Sequence, residues 1–152
     1  MRSLAEAVAW RATQAGPVVF TNGVFDLVHP GHVAVLEAAA AEGAALVVGV
    51  NSDASARGLG KGPERPVVDA SSRARVLAAF ACVDCVVLFD EPTPLAVVSA
   101  LQPDVLVKGG DYDPETVVGA DVVRARGGRV VIVPLVPQQS TTRLVERLRA
   151  PS

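Results

Sequence analysis

Residues 17–32 read Pro-Val-Val-Phe-Thr-Asn-Gly-Val-Phe-Asp-Leu-Val-His-Pro-Gly-His. They begin with an apolar run, Pro17–Thr21, that predicts a buried strand, and they end where a helix is predicted over Gly31–Glu42. Both histidines of the chain, His29 and His32, fall in the turn between these two elements. A strand, a glycine-containing turn and a helix in this order are typical of α/β folds in which the helix N-terminus faces a ligand.

The same alternation of short apolar runs with longer Ala-, Leu- and Arg-rich segments continues along the chain. The apolar runs predict buried strands over Pro17–Thr21, Leu46–Val50, Cys85–Phe89, Val105–Lys108 and Arg129–Val133. The other segments predict helices over Leu4–Gln14, Gly31–Glu42, Asp69–Ala81, Thr93–Leu101, Pro114–Arg126 and Thr142–Arg149. We therefore expect a Rossmann-like three-layer α/β/α fold with a five-stranded parallel sheet. We expect one domain over residues 1–152, with an N-terminal helix within 1–15 and the core over 16–149.

Composition argues against several classes of protein. The chain has 152 residues, of which 50% are hydrophobic, with a formal net charge of −2 and a pI near 5.6. Near-neutral charge argues against nucleic acid as the main partner. No apolar run approaches the roughly 18 residues that a membrane span needs, and the N-terminus lacks a secretory signal pattern. We expect a cytoplasmic protein with neither nucleic-acid nor membrane partners.

The turn after the first predicted strand is the strongest candidate for a catalytic site, because ligands of parallel sheets bind beyond the carboxyl ends of the strands. Pro30 fixes the backbone there, and Gly31 permits close approach to a ligand. The imidazoles of His29 and His32 can donate hydrogen bonds to phosphate oxygens beside a helix N-terminus. One histidine in a turn is commonly only a cap, whereas two here indicate a phosphate site. Asp26 could bind a ligand or stabilise the turn.

Three other segments follow predicted strands and have two interpretations each. Asn51-Ser52-Asp53 leads into a loop, 57–66, that is rich in glycine and basic residues and suits a mobile cover over a phosphate. The residues 108–111, Lys-Gly-Gly-Asp, place a cation and a carboxylate beside a glycine pair. Residues 140–142, Ser-Thr-Thr, open the last predicted helix with hydroxyl groups. All three patterns also occur in ordinary loops, turns and helix caps.

The sequence Cys82-Val83-Asp84-Cys85 suggests a zinc site with the two histidines, or a redox pair. However, the cysteines lie about 50 residues beyond the histidines. They also fall at a predicted helix end and strand start, not at a helix N-terminus, where thiol pKa values are lowered. We interpret both as small buried apolar side chains and predict no metal held by protein side chains.

From residue 20 to about 148, the chain resembles the His-x-Gly-His cytidylyltransferase-like nucleotidyltransferases, most specifically in Phe-Thr-Asn-Gly-Val-Phe-Asp-Leu-Val-His-Pro-Gly-His (20–32). Further motifs are similar to those of the heptose 1-phosphate adenylyltransferases: Val-Asn-Ser-Asp (50–53), Arg65-Pro66, Arg73 in Arg-x-x-Val-Leu, Leu-Val-Lys-Gly-Gly-Asp-Tyr (106–112) and Ser-Thr-Thr (140–142). Bifunctional members of that group carry this domain after a sugar kinase. Similarity to the stand-alone form implies that a separate kinase supplies the sugar phosphate.

The resemblance implies a role for each matching residue. The catalytic residues would be His29, His32, Lys61 and Arg73. Nucleotide binding is implied for Thr21, Asn22, Gly23, Phe25, Gly31, His32, Lys108, Gly110, Asp111, Ser140, Thr141 and Thr142. Binding of the second substrate is implied for Asp26, Asn51, Asp53, Lys61 and Arg65. The resemblance also implies Mg²⁺ bound mainly through the nucleotide phosphates, and a homodimer.

The implied reaction joins ATP and D-glycero-D-manno-heptose 1-phosphate to give ADP-heptose and pyrophosphate. A sugar phosphate is already anionic at neutral pH, so its direct in-line attack needs positioning and charge stabilisation but no general base. The alternatives are another sugar- or polyol-phosphate nucleotidyltransferase, such as a glycerol 3-phosphate cytidylyltransferase, a non-catalytic nucleotide-binding module, and last a zinc or redox module. Gln138-Gln139 stands where the family often has Gly-Cys or Asp-Arg, and this departure leaves the preference for the nucleotide base open. The identity of the sugar and its anomer are open as well.

Overall fold

The computed structural model describes residues 1–151, which form a five-stranded parallel sheet between two layers of helices. The strands are β1 (Val18–Gly23), β2 (Ala45–Asn51), β3 (Cys85–Phe89), β4 (Val105–Gly109) and β5 (Arg129–Val133). The helices are α1 (Leu4–Ala12), α2 (Pro30–Ala40), α3 (Asp53–Gly58), α4 (Ala70–Ala78), α5 (Leu95–Leu101), α6 (Ala120–Ala125) and α7 (Thr141–Arg149). The expected Rossmann-like α/β fold and all five predicted strands are confirmed.

Both faces of the sheet are covered, which explains why its strands read as continuous apolar runs. Side chains of successive residues point to opposite faces. Val18 and Phe20 therefore join a buried cluster with residues of α1, α5 and α6. Val19, between them, joins a second cluster with residues of α2 and α4. Every residue of β2 is buried, because this strand has a neighbour on each side and a helix layer on each face.

The strand order β3-β2-β1-β4-β5 makes β1 the central strand. The chain builds the sheet from β1 towards one edge through β2 and β3, then crosses back and builds towards the other edge through β4 and β5. Near its end, β1 pairs Thr21 with Val107 of β4. On its other side, β1 remains paired with β2 as far as Gly23. A crevice between β1 and β4 at their carboxyl ends is where such a sheet binds ligands.

Except for α6, the predicted helix starts agree with the observed caps to within a few residues. Asp69, predicted as the first residue of a helix, is instead the N-cap of α4, and its carboxylate accepts the Ser72 N–H at 2.9 Å. Ser140 caps α7 by accepting the Arg143 N–H at 3.2 Å. Side-chain oxygens at these positions satisfy N–H groups that have no partner inside the helix. Within residues 1–151, no helix is long and apolar enough to cross a membrane.

Two predicted segments differ from the structure. The loop expected after β2 begins with a short helix, α3, capped by Ser52, whose hydroxyl accepts the Ser55 N–H at 3.2 Å. The helix predicted over Pro114–Arg126 is shorter, because α6 starts only at Ala120. Gly119 precedes it in the left-handed conformation, with φ of 90°, which interrupts helix geometry.

Candidate active site

A cavity of about 500 Å³ opens beyond the carboxyl ends of β1 and β4. We call it the main cavity. Its walls come from the end of β1, the turn into α2, the loop after α3, the end of β4 and the segment that leads into α7. The predicted site residues that line it are Thr21, Asn22, Gly23, Phe25, Asp26, His29, Gly31, His32, Lys61, Arg65, Lys108, Ser140, Thr141 and Thr142. The fold thus brings together residues that are far apart in the sequence.

The two histidines are held by the first turn of α2. His29 is the N-cap of the helix, and its Nδ1 accepts the Gly31 N–H at 3.1 Å. The Nδ1 of His32 in turn accepts the His29 N–H at 3.3 Å. The two rings are stacked, with centroids 3.9 Å apart and an angle of 28° between their planes. Helix formation therefore fixes the position of both rings.

These hydrogen bonds determine where each ring carries its proton. A neutral imidazole accepts at one nitrogen and donates at the other, so an accepting Nδ1 places the proton on Nε2. Burial lowers the pKa of His29. Burial also lowers the pKa of His32 to about 4, helped by the neighbouring charges of His29 and Lys61. Both rings are therefore neutral near pH 7, and each has an Nε2–H group with which to bind a ligand.

Gly31 is required by the packing of this turn. A Cβ atom there would lie 2.8 Å from Cε1 of His29 and 3.2 Å from Cβ of Gln139. The first distance is too short for two carbon atoms, so any larger residue would displace the His29 ring. The close approach that the structure shows at Gly31 is to the His29 ring, whereas the predicted approach of a ligand to this glycine stays a prediction.

Two lysines give the main cavity its positive charge. Lys108, at the end of β4, is largely buried, with its ammonium 3.5 Å from the Asn22 carbonyl oxygen and 5.3 Å from the Tyr112 ring centroid. Burial, and then the charge of Lys61, lower the pKa of Lys108. Lys61 is exposed, on a loop that lies against the cavity. Within residues 1–151 neither lysine forms an ion pair, so both are available to an anion.

Asp26 is fully engaged by the protein. Its buried carboxylate accepts hydrogen bonds from the Arg65 guanidinium at 2.8 Å and from the N–H groups of Val67 and Val68 at 2.8 and 3.0 Å. Burial opposes the charged form, but these donors outweigh it and hold the pKa of Asp26 below its usual value. Asp26 therefore ties the turn after β1 to the loop before α4. These contacts correspond to the second of the two roles considered for Asp26 from the sequence, which is to stabilise the turn.

The turn that Asp26 anchors has a strained backbone. Phe25 and Leu27 have φ values of 53° and 52°, a left-handed conformation that is uncommon for residues with a side chain. Such a conformation persists when neighbouring groups hold it in place. Arg73 provides one restraint by donating to the Val24 carbonyl at 2.5 Å, and the Asp26 contacts provide others. The Phe25 ring packs against His32, with centroids 5.3 Å apart.

The structure contradicts the predicted position of Arg73 beside the phosphates. Its side chain is 1% exposed and lines neither this cavity nor its neighbour. It donates to the carbonyls of Val24 and Val68 and to the carboxylate of Asp53. Arg73 therefore positions the turn and does not reach a ligand. The predicted position of Asp53 beside the substrate is corrected as well, because its carboxylate is paired with Arg73 behind the site.

The start of α7 closes the main cavity on another side. Thr141 donates its hydroxyl to the Asp26 carbonyl oxygen at 2.7 Å, which joins α7 to the turn after β1. The hydroxyl of Ser140 is used as the helix cap, whereas Thr142 is exposed at the cavity. The Ser-Thr-Thr motif thus caps the helix and also borders the cavity, and its contact with a ligand stays a prediction.

A second cavity of about 360 Å³ adjoins the main one. The residues common to both are Asn22, Gly23, Val24, Lys61, Lys108 and Tyr112. Asn51, predicted as a substrate-binding residue, lines only this second cavity. Because Lys61 and Lys108 border both spaces, two anionic ligands placed side by side would share the same cations.

Besides Arg73 and Asp53, two more predicted residues line neither cavity. Gly110 is buried in a left-handed turn with φ of 123°, packed against Tyr112 and Leu135. Asp111 is exposed. The glycine pair thus shapes the chain around Lys108, and neither Gly110 nor Asp111 borders the space in which a nucleotide would bind.

Several lining residues were not among the predicted set. They are Val24, Val35, Gly109, Tyr112, Leu135, Val136 and Gln139. Tyr112 directly follows the Lys-Gly-Gly-Asp segment and is half exposed. Leu135 is also exposed, and the prolines on either side of the Leu-Val pair mark it as a turn. The signal available in the sequence was the position of these apolar residues shortly after a predicted strand.

Neither cysteine has the surroundings of a metal ligand or redox centre. Both thiols are free, and burial raises the pKa of Cys82 and of Cys85. A thiolate, the reactive and metal-binding form, is therefore disfavoured at neutral pH. In residues 1–151 no group of three or more His, Cys, Asp and Glu side chains is arranged to hold a metal ion.

Comparison with known proteins gives a family and several relatives. The model of the cytidylyltransferase-like family matches residues 20–147. The chain is 61% identical over 145 residues to the bifunctional protein HldE of Azorhizobium caulinodans, a match that covers 95% of this chain and 30% of that protein. It is 62% identical over 136 residues to the bifunctional protein HldE of Gluconobacter oxydans, covering 89% of this chain and 28% of the relative. The chain thus spans less than a third of the length of these curated relatives.

A solved structure supports the same fold. The lipopolysaccharide core biosynthesis protein from Thermoplasma volcanium superposes with a TM-score of 0.67 and 28% sequence identity. The superposition covers 82% of this chain and all of that protein.

Proposed function

This chain belongs to the cytidylyltransferase-like family and is a nucleotidyltransferase, and we propose that it joins ATP to D-glycero-D-manno-heptose 1-phosphate, giving ADP-heptose and pyrophosphate. The supporting observation is the donor set of the main cavity: two neutral imidazoles and two lysines without ion-pair partners. Such a set stabilises negative charge on phosphate oxygens but offers no free carboxylate as a base. A reaction at phosphorus between two anionic substrates fits it.

In the proposed step, an oxygen of the sugar phosphate attacks the α-phosphorus of the nucleotide. The new O–P bond forms as the bond from the α-phosphorus to the bridging oxygen breaks, and pyrophosphate leaves with that electron pair. The attacking oxygen carries no proton at neutral pH, so no base is needed. The Nε2–H groups of His29 and His32 donate to the oxygens on which charge increases, and Lys61 and Lys108 supply positive charge.

The proposed nucleotide substrate is MgATP, with the ion carried by its phosphates. Among residues 1–151, the one carboxylate that lines the main cavity is that of Asp26, which already accepts from three protein donors. The charges that this chain offers to the phosphates are those of its lysines. In this proposal Mg²⁺ therefore enters the site as part of the nucleotide substrate.

The choice of a heptose phosphate rests on sequence. The motifs at 50–53, 65–66 and 106–112 resemble those of heptose 1-phosphate adenylyltransferases, and two relatives at 61% and 62% identity are both bifunctional proteins HldE. Two adjoining cavities with shared lysines are compatible with a nucleotide in one and a sugar phosphate in the other.

Pyrophosphate release with Mg²⁺ tests the proposal directly. ATP, CTP and GTP are each crossed with both anomers of heptose 1-phosphate and with glycerol 3-phosphate. We expect release with ATP and one heptose anomer only. Release with CTP and glycerol 3-phosphate would instead identify a glycerol 3-phosphate cytidylyltransferase. No release with any pair, from protein that still binds ATP, would favour a non-catalytic nucleotide-binding module.

Three associated predictions need separate measurements. A separate sugar kinase is expected to supply the phosphorylated sugar. A coupled assay that starts from the sugar before this phosphorylation, with and without the kinase, would show whether pyrophosphate release depends on the kinase. A homodimer is expected from the family, and light scattering on the purified chain gives its mass in solution. A cytoplasmic location is expected and can be checked by cell fractionation.

A further inference from the structure

The second cavity has a composition suited to a phosphorylated polyol. The charged residues that line it are Lys61 and Lys108, with no carboxylate among the lining residues. Its polar, uncharged lining includes Asn22, Asn51 and Thr93. Two cations can receive a phosphate, and amide or hydroxyl groups can receive the hydroxyls of a sugar. The hydrogen bonds of the Asn51 amide indicate the kind of ligand more specifically than this composition does.

Ser55 fixes the orientation of the Asn51 amide. The Ser55 hydroxyl donates its single proton to the carbonyl oxygen of Glu91 at 2.7 Å. It can therefore only accept from Asn51, whose Nδ2 lies 3.0 Å away. The amide nitrogen must face Ser55, and the amide oxygen must point the other way. The hydrogen-bond network settles an orientation that the shape of the amide alone does not.

The amide oxygen of Asn51 is left for a ligand. Asn51 stands at the end of β2 and is only 4% exposed. In the part of the chain that the structure describes, no fully buried side-chain nitrogen or oxygen lacks a hydrogen-bond partner. Because no protein donor reaches Oδ1 there, its remaining accessible surface lies where Asn51 borders the second cavity. A nearly buried acceptor oriented towards a cavity requires a donor, since a bound ligand that offers none leaves it unpaired.

We propose that Asn51 is a specificity-determining residue whose Oδ1 accepts a hydrogen bond from one hydroxyl of the sugar phosphate in the second cavity, and that Ser55 is the positioning residue that orients it. This inference rests on the proposed function, because it assigns the sugar phosphate to this cavity. A site built around a hydroxyl discriminates strongly against an analogue that lacks it. Asn51 thereby selects the hydroxyl pattern of the sugar, while Lys61 and Lys108 face its phosphate.

The first test measures both Michaelis constants in three variants. Asn51→Asp keeps the shape of the side chain but cannot donate to Ser55 and adds a negative charge beside an anionic substrate. Ser55→Ala removes the group that orients the amide. For both we expect a rise of at least about tenfold in KM for the sugar phosphate, with KM for ATP changed less than about twofold. Ser99→Ala, an exposed serine of α5, is the matched control and should change neither constant.

The second test needs no variant and covers the case in which a variant fails to fold. The wild-type enzyme is assayed with monodeoxy analogues of the accepted sugar phosphate. We expect one analogue to lose about 30-fold or more in kcat/KM, as for a lost hydrogen bond to a buried acceptor. If Ser55→Ala folds, that same analogue should lose much less relative to the parent sugar in this variant.

The outcomes separate the two proposals. Wild-type protein that releases no pyrophosphate with any sugar phosphate overturns the proposed function and this inference with it. Active wild-type protein that accepts all deoxy analogues equally overturns the inference alone. Equal increases in both KM values, together with a lower melting temperature, would show that Asn51 and Ser55 support the fold only.

Discussion

The Nδ1 atoms of His29 and His32 are both occupied by backbone N–H groups of the same helical turn, at 3.1 and 3.3 Å. Each ring can therefore meet a ligand only through Nε2–H. The stacking of the rings, with centroids 3.9 Å apart, places the two donors side by side. The turn thus acts as a paired donor for neighbouring phosphate oxygens, with its geometry set before any ligand binds.

We predict that His32→Ala lowers kcat by about 100-fold or more, because a lost donor to developing charge typically costs roughly 3 kcal/mol. His32→Gln is the matched control, since its amide nitrogen can stand near the position of Nε2. It should retain more activity than the alanine variant. Steady-state pyrophosphate release measures both, and an unchanged rate in His32→Ala would remove this residue from the mechanism.

Stability should depend on the titration of His32 at acidic pH. The pKa of His32 falls from 6.5 to about 4 on folding because of burial. Between these values the unfolded chain binds the proton and the folded chain does not, so the free energy of unfolding decreases as pH falls from 6.5 towards 4. His32→Gln removes this contribution, which amounts to about 2–3 kcal/mol at pH near 4.5.

Urea unfolding of wild type and His32→Gln near pH 7.5 and near pH 4.5 measures this effect. The carboxylates that titrate at low pH are common to both proteins and cancel in the comparison. The variant should lose less stability on acidification than the wild type. Parallel losses in the two proteins would mean that His32 titrates normally in the folded state.

Arg73→Ala should reduce both stability and activity, although Arg73 lines neither cavity. The variant loses hydrogen bonds to the carbonyls of Val24 and Val68 and leaves Asp53 without its partner. We expect a loss of about 2–4 kcal/mol in unfolding free energy, and a lower kcat because the turn before His29 is released. Arg75→Ala, an exposed arginine on the same helix, should have little effect. Full activity in stable Arg73→Ala would contradict the positioning role.

Lys61→Ala should lower turnover without lowering stability. Lys61 is exposed and lies between Gly60 and Gly62. A Cβ atom added to either glycine would meet nothing within 4 Å, so this part of the loop is loosely surrounded. Its loss removes a cation from the border of both cavities but no packing. The melting temperature and kcat/KM for each substrate are the measurements. Arg57 is also exposed but lies outside both cavities, so Arg57→Ala serves as the control. A clearly lower melting temperature in Lys61→Ala than in the wild type would indicate that Lys61 has a structural role.

The sheet and the histidine turn could be predicted from sequence because each rests on local patterns. Continuous apolar runs mark strands that are covered on both faces, and a Pro-Gly turn before a helix marks an anion site. Arg73 was misplaced because an arginine eight residues after Arg65 gives no sign of whether its side chain points to a ligand or beneath the turn. That choice depends on carbonyl groups of Val24 and Val68, which no side-chain pattern reveals.

Helix α3 and the residues around Tyr112 were missed for different reasons. The six residues of α3 are too few for a helical periodicity, and the glycines that follow suggest a loop. Tyr112, Leu135 and Gln139 meet only because β4 and β5 are neighbours, which makes their shared cavity a property of the topology. The Ser55–Asn51 network likewise requires the Glu91 carbonyl, 36 residues away in the chain.

The attachment of Asp26 to the loop before α4 has a consequence for backbone dynamics. Val67 is 54% exposed, yet its N–H, like that of Val68, donates to a carboxylate that is itself buried. In hydrogen–deuterium exchange, these two amides should be protected far more than their surface position suggests, since they exchange only when the turn after β1 opens. The exchange rates of the Val67 and Val68 amides would thus report how often the histidine turn opens.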